Sequence, residues 1–397
     1  MINIEKGTDV TDFRRVYRTP KTDEELEREF PQELTISLAR ESFKLRYGEN
    51  PNQPAAVYRF KGISLAEFTD IRLAKSGKGG ISATNLMDIT RALEILKYFT
   101  RPSVAVMKHL IPSGFATQNN EESLDELYRR ARNTDARSAY GSVVVFNKPV
   151  DIATAAELTT TFVEAIAAPD FEEGAMGILE RKEDLRTILY SNLDKLPKFI
   201  GDDSEGLYDL KVLSTGRVIV QRPYLTSIKS VEDLVLDPLV RNKDGRAAVV
   251  ERDPKPQELN DMLTAWYINF GVRSNGIVFV KNGVTVAVSS GQQERVGAVE
   301  QAIVKSYQKA MDRQGINYDP IEGAKKRLLL SSRPLENAVM SSDGFFPFRD
   351  SIDLAAGHGV TAVIQPGGSI RDYEVIEAVN RSKMAMAFTL ERCFGHF

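Results

Sequence analysis

Short apolar runs alternate with helical segments through the first half of the chain. The runs SVAVM (103–107), SVVVF (142–146) and VEAIAA (163–168) each predict a buried strand. After Ser82 apolar residues recur three and four positions apart, which predicts a helix, and another helix is predicted from Asp151. Strands this short that alternate with helices predict an α/β architecture.

The last third of the chain repeats this pattern. GIVFV and VTVAV flank Asn282-Gly283, which predicts a β-hairpin because a type I′ turn needs two residues that tolerate positive φ. A helix that opens at Gly291, the strands TAVIQP and MAMAFT, and the helix YEVIEAVNRS are predicted after it. The segments Ser138–Glu157 and Ser342–Gly359 resemble each other, which favours internal duplication of one α/β unit as a hypothesis.

Charge and turn residues divide the chain into segments. Thr22 and Glu25 form a capping-box pattern within a charged N-terminal arm, so a short helix near 23–30 is predicted. Residues 180–255 are more polar and are expected to be irregular, with a joint at Arg252–Pro256. The predicted divisions are the arm at 1–40, a first unit at 41–200, a connecting segment at 201–255 and a second unit at 256–397.

Composition argues against several classes of protein. The 397 residues include 52 Lys and Arg against 55 Asp and Glu, without a basic stripe, which argues against a nucleic-acid binder that neutralises phosphates. No apolar run approaches the ~18 residues of a membrane helix, and Met1–Val10 is too polar for a signal peptide, so a cytoplasmic location is expected. One cysteine, Cys393, and three histidines offer no zinc-ligand spacing. A magnesium site built from carboxylates stays open as an alternative, but no acidic cluster is conspicuous, so metal-dependent hydrolysis is not expected and no metal requirement is predicted.

Lys108 and His109 carry the first candidate chemistry. They follow the strand at 103–107, where a loop rich in proline and glycine is expected, and ligands of open α/β sheets gather at the carboxyl ends of strands. A histidine near neutral pH can take a proton from an attacking amine, and an adjacent ammonium can stabilise the oxyanion that forms. A surface lysine beside a packed histidine is the structural alternative.

Other candidates are residues that suit an anionic, aromatic ligand. Arg46 with Tyr47, and Arg392 near the C-terminus, present the planar fork of donors that recognises phosphate, although solvated ion pairs are the commoner role of arginine. Asn275 begins a strand and Gln292–Arg295 opens a helix, where free amides attract anions and carbonyl oxygens. The run SSDGFFPFRDSID combines three phenylalanines with carboxylates, as a floor for a flat heterocycle or as plain core.

Ten motifs in order resemble one enzyme family. From about Leu45 to Phe397 the chain is similar to the transformylase part of the bifunctional purine-biosynthesis family that joins 5-aminoimidazole-4-carboxamide ribonucleotide (AICAR) transformylase to inosine-monophosphate (IMP) cyclohydrolase. The motifs are LRYGENPNQPAAVY, SATNLMD, VMKHLIPSG, AYGSVVVFNKPVD, EAIAAPDFEEGA, RSNGIVFVKNG, SGQQERVGAV, SSDGFFPFRDSIDLAA, PGGS and LERCFGHF.

The resemblance implies a fold, a reaction and an assembly. The fold would be α/β, with two duplicated cytidine-deaminase-like units that lack the deaminase zinc. The reaction would transfer a formyl group from 10-formyltetrahydrofolate to the 5-amino group of AICAR, giving formyl-AICAR (FAICAR) and tetrahydrofolate. Active sites would lie at a homodimer interface. Because no cyclohydrolase domain is recognised in this chain, a separate IMP cyclohydrolase would act downstream.

The resemblance also assigns roles to individual residues. His109 resembles the general base, and Lys108 resembles the group that stabilises the transition state. Nucleotide contacts are implied at Arg46, Tyr47, Gly141, Glu164, Asn275, Arg295, Phe345 and Arg392. Folate contacts are implied at Val296, Asp350, Ser369 and Ile370.

Two positions depart from the family pattern. Ile111 stands where the family has asparagine, and Phe270 stands near a position that is often lysine. A transformylase with a different formyl donor is therefore one alternative, although the chain has no GxxxxGK[ST] phosphate loop for ATP. A catalytically silent protein that binds a purine ribotide is the other alternative.

Overall fold

The computed structural model describes residues 9–11, 21–42, 44–61, 70–316 and 333–397. The α-helices of these ranges are α1 (Asp23–Glu29), α2 (Ala83–Leu96), α3 (Leu124–Thr134), α4 (Ala136–Ala139), α5 (Ile152–Leu158), α6 (Ala175–Leu179), α7 (Pro256–Asn269), α8 (Arg295–Arg313), α9 (Asp350–Gly357) and α10 (Asp372–Arg381). The strands are β1 (Leu38–Arg40), β2 (Tyr58–Phe60), β3 (Ile71–Lys75), β4 (Ser103–Lys108), β5 (Ile111–Thr117), β6 (Ser142–Phe146), β7 (Val163–Ala168), β8 (Arg186–Tyr190), β9 (Asp209–Val212), β10 (Val218–Gln221), β11 (Leu239–Arg241), β12 (Ala247–Val249), β13 (Ile277–Lys281), β14 (Val284–Ser289), β15 (Val339–Ser342), β16 (Ala362–Gln365) and β17 (Ala385–Phe388).

Eleven strands form one mixed sheet in the order β17-β16-β15-β13-β14-β5-β4-β6-β7-β8-β3. Its centre is antiparallel: β5 pairs with β14, and each of them forms a hairpin with its neighbour, β4 or β13. On the two sides of this centre, the strands β6-β7-β8 and β15-β16-β17 run parallel. The other described strands form two-stranded ribbons outside the sheet, namely β1–β2, β9–β10 and β11–β12.

The two halves of the sheet pass through the same succession of elements. Apart from the short α4, the first half runs α2-β4-β5-α3-β6-α5-β7-α6-β8, and the second runs α7-β13-β14-α8-β15-α9-β16-α10-β17. The order of equivalent strands outward from the β5–β14 contact is also the same. Individual residues of the two halves also correspond. The sequence separation between Asp88 and Asp261 equals the separation between His109 and Asn282.

Alternation along the strands builds a core on both faces of the sheet. In β4, Ala105 and Met107 pack in the cluster that contains α2, whereas Val104 and Val106 pack in the cluster that contains α3. Both faces of this strand are therefore covered, which explains its continuous apolar sequence. No helix in the described ranges is long and apolar enough to cross a bilayer.

Most elements predicted from the sequence are confirmed. The capping box of Thr22 and Glu25 starts α1, and the Ser82 hydroxyl accepts a hydrogen bond from the Asn85 amide at the start of α2. The three apolar runs of the first half are strands β4, β6 and β7. The Asn282-Gly283 hairpin is also present, with both residues at positive φ.

Several boundaries were predicted wrongly. The loop expected after Lys108 is a two-residue turn followed by β5, which contains Pro112; a register shift opposite Met107 accommodates this proline, which has no N–H to donate. The helix expected from Gly291 begins at Arg295. Strand β8 lies in a stretch that was expected to be irregular, because two of its five residues, Arg186 and Thr187, are polar yet buried.

The segments Ser138–Glu157 and Ser342–Gly359, which resemble each other in sequence, are only partly equivalent in the structure. Both lead into corresponding helices, α5 and α9, but the first contains β6 whereas the second contains the loop after β15. The repeat is therefore carried by the succession of elements rather than by those two stretches.

Gly114 in β5 offers a direct test of the packing between α3 and the sheet. A methyl group at this position would lie far inside van der Waals contact with the backbone carbonyl of Ala131 in α3. We expect Gly114→Ala to lower the free energy of unfolding by about 3 kcal/mol or more, because backbone atoms cannot move aside as a side chain can.

Gly177 in α6 is the matched control, since a methyl group there meets nothing within 4 Å. Gly177→Ala should be neutral or stabilising by about 0.5–1 kcal/mol, as in other helices. Denaturant unfolding of both variants measures the difference. Equal stabilities would contradict the proposed closeness of α3 to β5.

Candidate functional site

The turn between β4 and β5 places Lys108 and His109 at one edge of the sheet. His109 and Leu110 form the turn with φ values of 53° and 67°, and the His109 side chain is exposed. The equivalent turn of the second half is Asn282-Gly283, with φ values of 52° and 71°. Asparagine and glycine adopt this left-handed conformation readily, whereas other L-residues pay roughly 1–2 kcal/mol each. A strained turn that carries candidate chemistry is a functional-site candidate.

The ammonium of Lys108 is held in a defined direction. Its Nζ donates to the carbonyl oxygens of Gly141 at 2.6 Å and Tyr140 at 3.1 Å, which leaves one of its three N–H donors for a ligand. Gly141 has a φ of 68°, and a Cβ there would lie 3.2 Å from Nζ. Glycine at position 141 therefore leaves the space that the Lys108 ammonium occupies.

The first turns of α2 connect this hairpin to further predicted contact residues. Asn85 donates to the Glu164 carboxylate at 2.9 Å, and Asp88 accepts from the backbone N–H of Leu110 at 2.6 Å. Tyr47 accepts a backbone hydrogen bond from Ala83 at 3.2 Å. The N-terminal half of α2 therefore contacts the segment that precedes it, the β4–β5 hairpin and β7.

The neighbouring Arg46 lies beside the same helix start. Its backbone N–H donates to Ile81 at 2.8 Å, and its guanidinium lies 5.3 Å from the centre of the Tyr47 ring. The Arg46 side chain is exposed, so it is available to an anionic ligand. We call the residues that meet here, Arg46, Tyr47, Asn85, Asp88, Lys108, His109, Gly141 and Glu164, the first group.

Asp88 is the buried charge of the first group. Only 4% of the residue is exposed, and burial raises the pKa of its carboxyl to about 6. The hydrogen bond from Leu110 and the positive charges of His109 and Lys108 oppose this shift, whereas Glu164 adds to it. At neutral pH the carboxylate is therefore ionised, at a cost in stability that its cationic neighbours reduce.

A second group of predicted residues lies in the other half of the sheet. Arg295 forms a buried ion pair with Asp343, which also accepts from Ser274 Oγ at 2.6 Å. Asn275 donates through its side-chain amide to the backbone of Gln292 at 2.8 Å. These contacts fix the two predicted nucleotide-binding side chains, Asn275 and Arg295, at the start of β13 and α8.

Arg392 and Phe345 complete the second group. The Arg392 guanidinium lies 4.7 Å from the centre of the Phe394 ring, and the backbone N–H of Cys393 donates to Asp343 at 3.1 Å. Phe345 is exposed two residues after Asp343. The C-terminal segment therefore returns to the end of β15. Burial raises the pKa of the Cys393 thiol, so this cysteine is poorly suited to be a nucleophile.

The four predicted folate contacts lie in the same half. Val296 is in the first turn of α8, and the exposed Asp350 is the first residue of α9. Ser369 is buried and accepts from the Arg371 amide through its hydroxyl at 3.1 Å, whereas Ile370 is 59% exposed. Of the four, Asp350 and Ile370 present exposed side chains.

Strand direction places both groups at one edge of the sheet. The β4–β5 turn lies where β6 and β7 begin and where β14 ends. The residues of the second group follow the carboxyl ends of β14 and β15, precede β13, or return there after β17. The strands that carry the two groups are two to six positions apart in the sheet, from β4 and β14 to β7 and β15, which at about 4.8 Å per strand is roughly 10–30 Å.

Lys108 and His109 do not lie at the carboxyl ends of parallel strands, where a ligand was expected. The pair does follow the carboxyl end of β4, but β4 is antiparallel to β6, so the hairpin lies at the amino ends of the parallel strands β6 and β7. The rule for carboxyl ends of parallel strands applies to the second group and not to the first.

Two sets of polar residues near the hairpin were not predicted from the sequence. Asn85 and Asp88 were not singled out, although their spacing of three places both on one side of α2. A cleft of about 200 Å³ beside Lys108 and His109 is lined by residues of both halves, including Asp135, Lys305 and Lys309. These residues lie far from Lys108 in the sequence, so no local pattern linked them to it.

Charge in this cleft is only partly neutralised. Lys309 forms an ion pair with Asp135 at 2.8 Å, and Lys305 donates to the carbonyl of Val288 at 3.0 Å. Burial lowers the pKa of Lys305, with Asp135 opposing the shift. Ile111, the departure from the family pattern, also lines this cleft. In the described part of the chain, no cluster of three or more His, Cys, Asp or Glu residues could hold a metal ion.

Comparisons with known proteins agree on one family. The family model described as AICARFT/IMPCHase bienzyme matches residues 14–305. The bifunctional purine biosynthesis protein PurH of Persephonella marina is 36% identical over 376 residues, which are 94% of this chain and 62% of that protein. PurH of Caldicellulosiruptor saccharolyticus is 36% identical over 371 residues, with shares of 93% and 62%. PurH of Sorangium cellulosum is 37% identical over 370 residues, with shares of 92% and 61%.

The chain thus spans about three fifths of the length of the curated relatives it matches. The matched segment of the family model includes the hairpin, α2 and the start of α8, and so contains the first group and part of the second. This chain therefore belongs to the AICARFT/IMPCHase bienzyme family.

Proposed function

We propose that this chain is a phosphoribosylaminoimidazolecarboxamide formyltransferase of de novo purine biosynthesis. It transfers the formyl group of 10-formyltetrahydrofolate to the 5-amino group of AICAR, giving FAICAR and tetrahydrofolate. The observation that carries this proposal is the β4–β5 turn, which presents an exposed imidazole next to an ammonium that two carbonyl oxygens hold in place. Membership of the family supports it.

In the proposed mechanism the two residues act on one tetrahedral intermediate. The 5-amino group of AICAR is a weak nucleophile because its lone pair is delocalised into the imidazole carboxamide. His109 accepts the amine proton as the nitrogen attacks the formyl carbon, and Lys108 stabilises the oxyanion. The bond from the formyl carbon to the folate nitrogen then breaks, and that nitrogen takes the proton back from His109. No metal is needed for these steps.

We further propose that each site is built from two chains. The first group supplies the catalytic pair with Gly141 and Glu164, and the second supplies Asn275, Arg295, Phe345 and Arg392 for the nucleotide. The resemblance to the family implies that active sites lie at a homodimer interface, where both groups would have to close on one ribotide. A homodimer that places the first group of one protomer against the second group of its partner would do so.

The folate and the wider fold are parts of the same proposal. Val296, Asp350, Ser369 and Ile370 would contact 10-formyltetrahydrofolate, as the resemblance implies. The matching order of elements in the two halves supports descent from a duplicated cytidine-deaminase-like unit without zinc. The buried free thiol of Cys393 suits a reducing compartment such as the cytoplasm.

Replacing His109 with asparagine tests the catalytic base with little risk to the fold. Asparagine occupies the equivalent turn position at nearly the same φ in the second half, so the backbone of His109→Asn should be unchanged. We expect kcat to fall by about 10²–10⁴, the usual contribution of a general base. Tetrahydrofolate formation from AICAR and 10-formyltetrahydrofolate measures the effect.

Asn282→His, the reverse change in the second half, is the control and should leave turnover unchanged. Full activity of His109→Asn would contradict the role of the imidazole. A wild-type protein that binds AICAR but forms no tetrahydrofolate would favour the silent ribotide binder. Product formed only from formyl phosphate, or from formate with ATP, would favour a different donor.

Complementation between two inactive variants tests the shared site. His109→Asn damages the first group and Arg392→Ala damages the second, so each homodimer should be inactive. In a co-expressed mixture with random pairing, half of the dimers are mixed and each has one intact site, so about a quarter of the wild-type activity should return. A mixture as inactive as its parents would place both groups in sites within one chain.

A further inference from the structure

The two equivalent turns are each held by an aspartate from the helix below. Asp261 in α7 accepts from the backbone N–H groups of Asn282 and Gly283, both at 2.8 Å. Asp88 holds the corresponding place in α2 and accepts from Leu110 at 2.6 Å. An aspartate on the preceding helix therefore supports both turns. The turn in the first half carries candidate catalytic residues, and the turn in the second half does not.

The surroundings of the two aspartates differ in charge. Asp88 interacts electrostatically with His109 and Lys108 on the hairpin and with Glu164 on β7. Asp261 has its own helix neighbours, with Gln257 donating to it at 3.2 Å and Glu258 nearby in charge. Only in the first half does the aspartate lie beneath a lysine-histidine pair.

The two turns also differ in the backbone strain that a supporting hydrogen bond has to offset. A Cβ on Gly283 would come within 2.7 Å of the Thr117 carbonyl oxygen, so glycine is required there and adopts its conformation at little cost. Leu110 adopts a left-handed conformation that leucine avoids. The hydrogen bond to the Asp88 carboxylate is donated by the backbone N–H of this same leucine.

The geometry points to Asp88 as the positioning residue of the catalytic turn. Its carboxylate fixes Leu110 in the left-handed conformation and thereby aims His109, and its charge keeps the Lys108-His109 pair at the sheet edge. This inference rests on the proposed catalytic role of His109. It adds to that role a residue that never touches substrate but sets where the imidazole stands.

A comparison of Asp88→Ala with Asp261→Ala separates positioning from packing. Both variants remove a buried carboxylate that anchors an equivalent turn, so both should lower the melting temperature. We expect only Asp88→Ala to lower kcat by at least tenfold, with less than threefold change in the KM for AICAR, because a misplaced base slows the chemical step and spares ribotide binding. Equal kcat values in the two variants would overturn the inference.

The histidine ring signals give a readout that does not depend on activity. The chain has three histidines, His109, His358 and His396, so their NMR resonances can be assigned by single substitutions. Asp88→Ala should shift the His109 signals and leave those of the other two in place, whereas Asp261→Ala should shift none. Unchanged His109 signals in Asp88→Ala would also overturn the inference.

The charge of Asp88 can be tested separately with Asp88→Asn, which keeps an acceptor for Leu110. Because the pKa of the carboxyl is about 6, the wild-type carboxylate gains a proton as the pH falls through 6, and kcat/KM should lose the contribution of its charge there. We expect Asp88→Asn to have lower kcat/KM at pH 8 and a shallower fall below pH 6. A pH profile that coincides with wild type would overturn the role of the charge.

Stability should respond to pH in the opposite sense. A carboxyl whose pKa is raised in the folded protein binds protons more readily there than when unfolded, so its contribution to stability falls as the pH rises from about 4 to 6. The melting temperature of wild type relative to Asp88→Asn should therefore decrease over that range. A constant difference would contradict burial of an ionising Asp88.

These outcomes distinguish the inference from the proposed function. A wild-type protein that forms no tetrahydrofolate defeats the proposed function, and the NMR comparison still decides whether Asp88 positions His109. If wild type is active and His109→Asn is inactive while Asp88→Ala matches Asp261→Ala, the function stands and the positioning role is lost.

Discussion

The antiparallel contact between β5 and β14 determines the arrangement of everything else. Because these two strands run in opposite directions, the two halves of the sheet meet with reversed polarity. The amino ends of β6 and β7 then lie at the same edge as the carboxyl ends of β15, β16 and β17. One edge of the sheet can therefore carry a turn from the first half and loops from the second, although the halves follow the same order of elements.

Elements were predicted correctly from the sequence where interactions between residues close in the chain determine the structure. The alternation of SVAVM with helical spacing gave β4 and α2, and the tolerance of Asn282-Gly283 for positive φ gave the second hairpin. The first hairpin has the same backbone, but His109-Leu110 gives no local signal, because leucine takes this conformation only when tertiary contacts hold it. Pro112 led to the wrong prediction of a loop for a related reason, because strand β5 accommodates this proline only through its register shift with β4.

The candidate site was predictable to a similar degree. Lys108 and His109 stood out because titratable groups at the end of an apolar strand are conspicuous, and the motifs supplied the remaining residues through the resemblance. Asp88 was not predictable, because its role depends on a hydrogen bond to a residue 22 positions away. The folate contacts stay predictions. Val296, Asp350, Ser369 and Ile370 lie in one half of the sheet, but nothing in their own contacts identifies a pterin.

Gly141 has a consequence for natural variation in this protein. The residue lies at the start of β6, beside the ammonium of Lys108, and has no part in the apolar clusters. An alanine allele would crowd the Lys108 ammonium and the Phe162 ring, and it would also strain the backbone, because Gly141 has a φ of 68°. A screen that scores only abundance or heat resistance would therefore register the backbone strain of such an allele and would not reveal its effect on the ammonium.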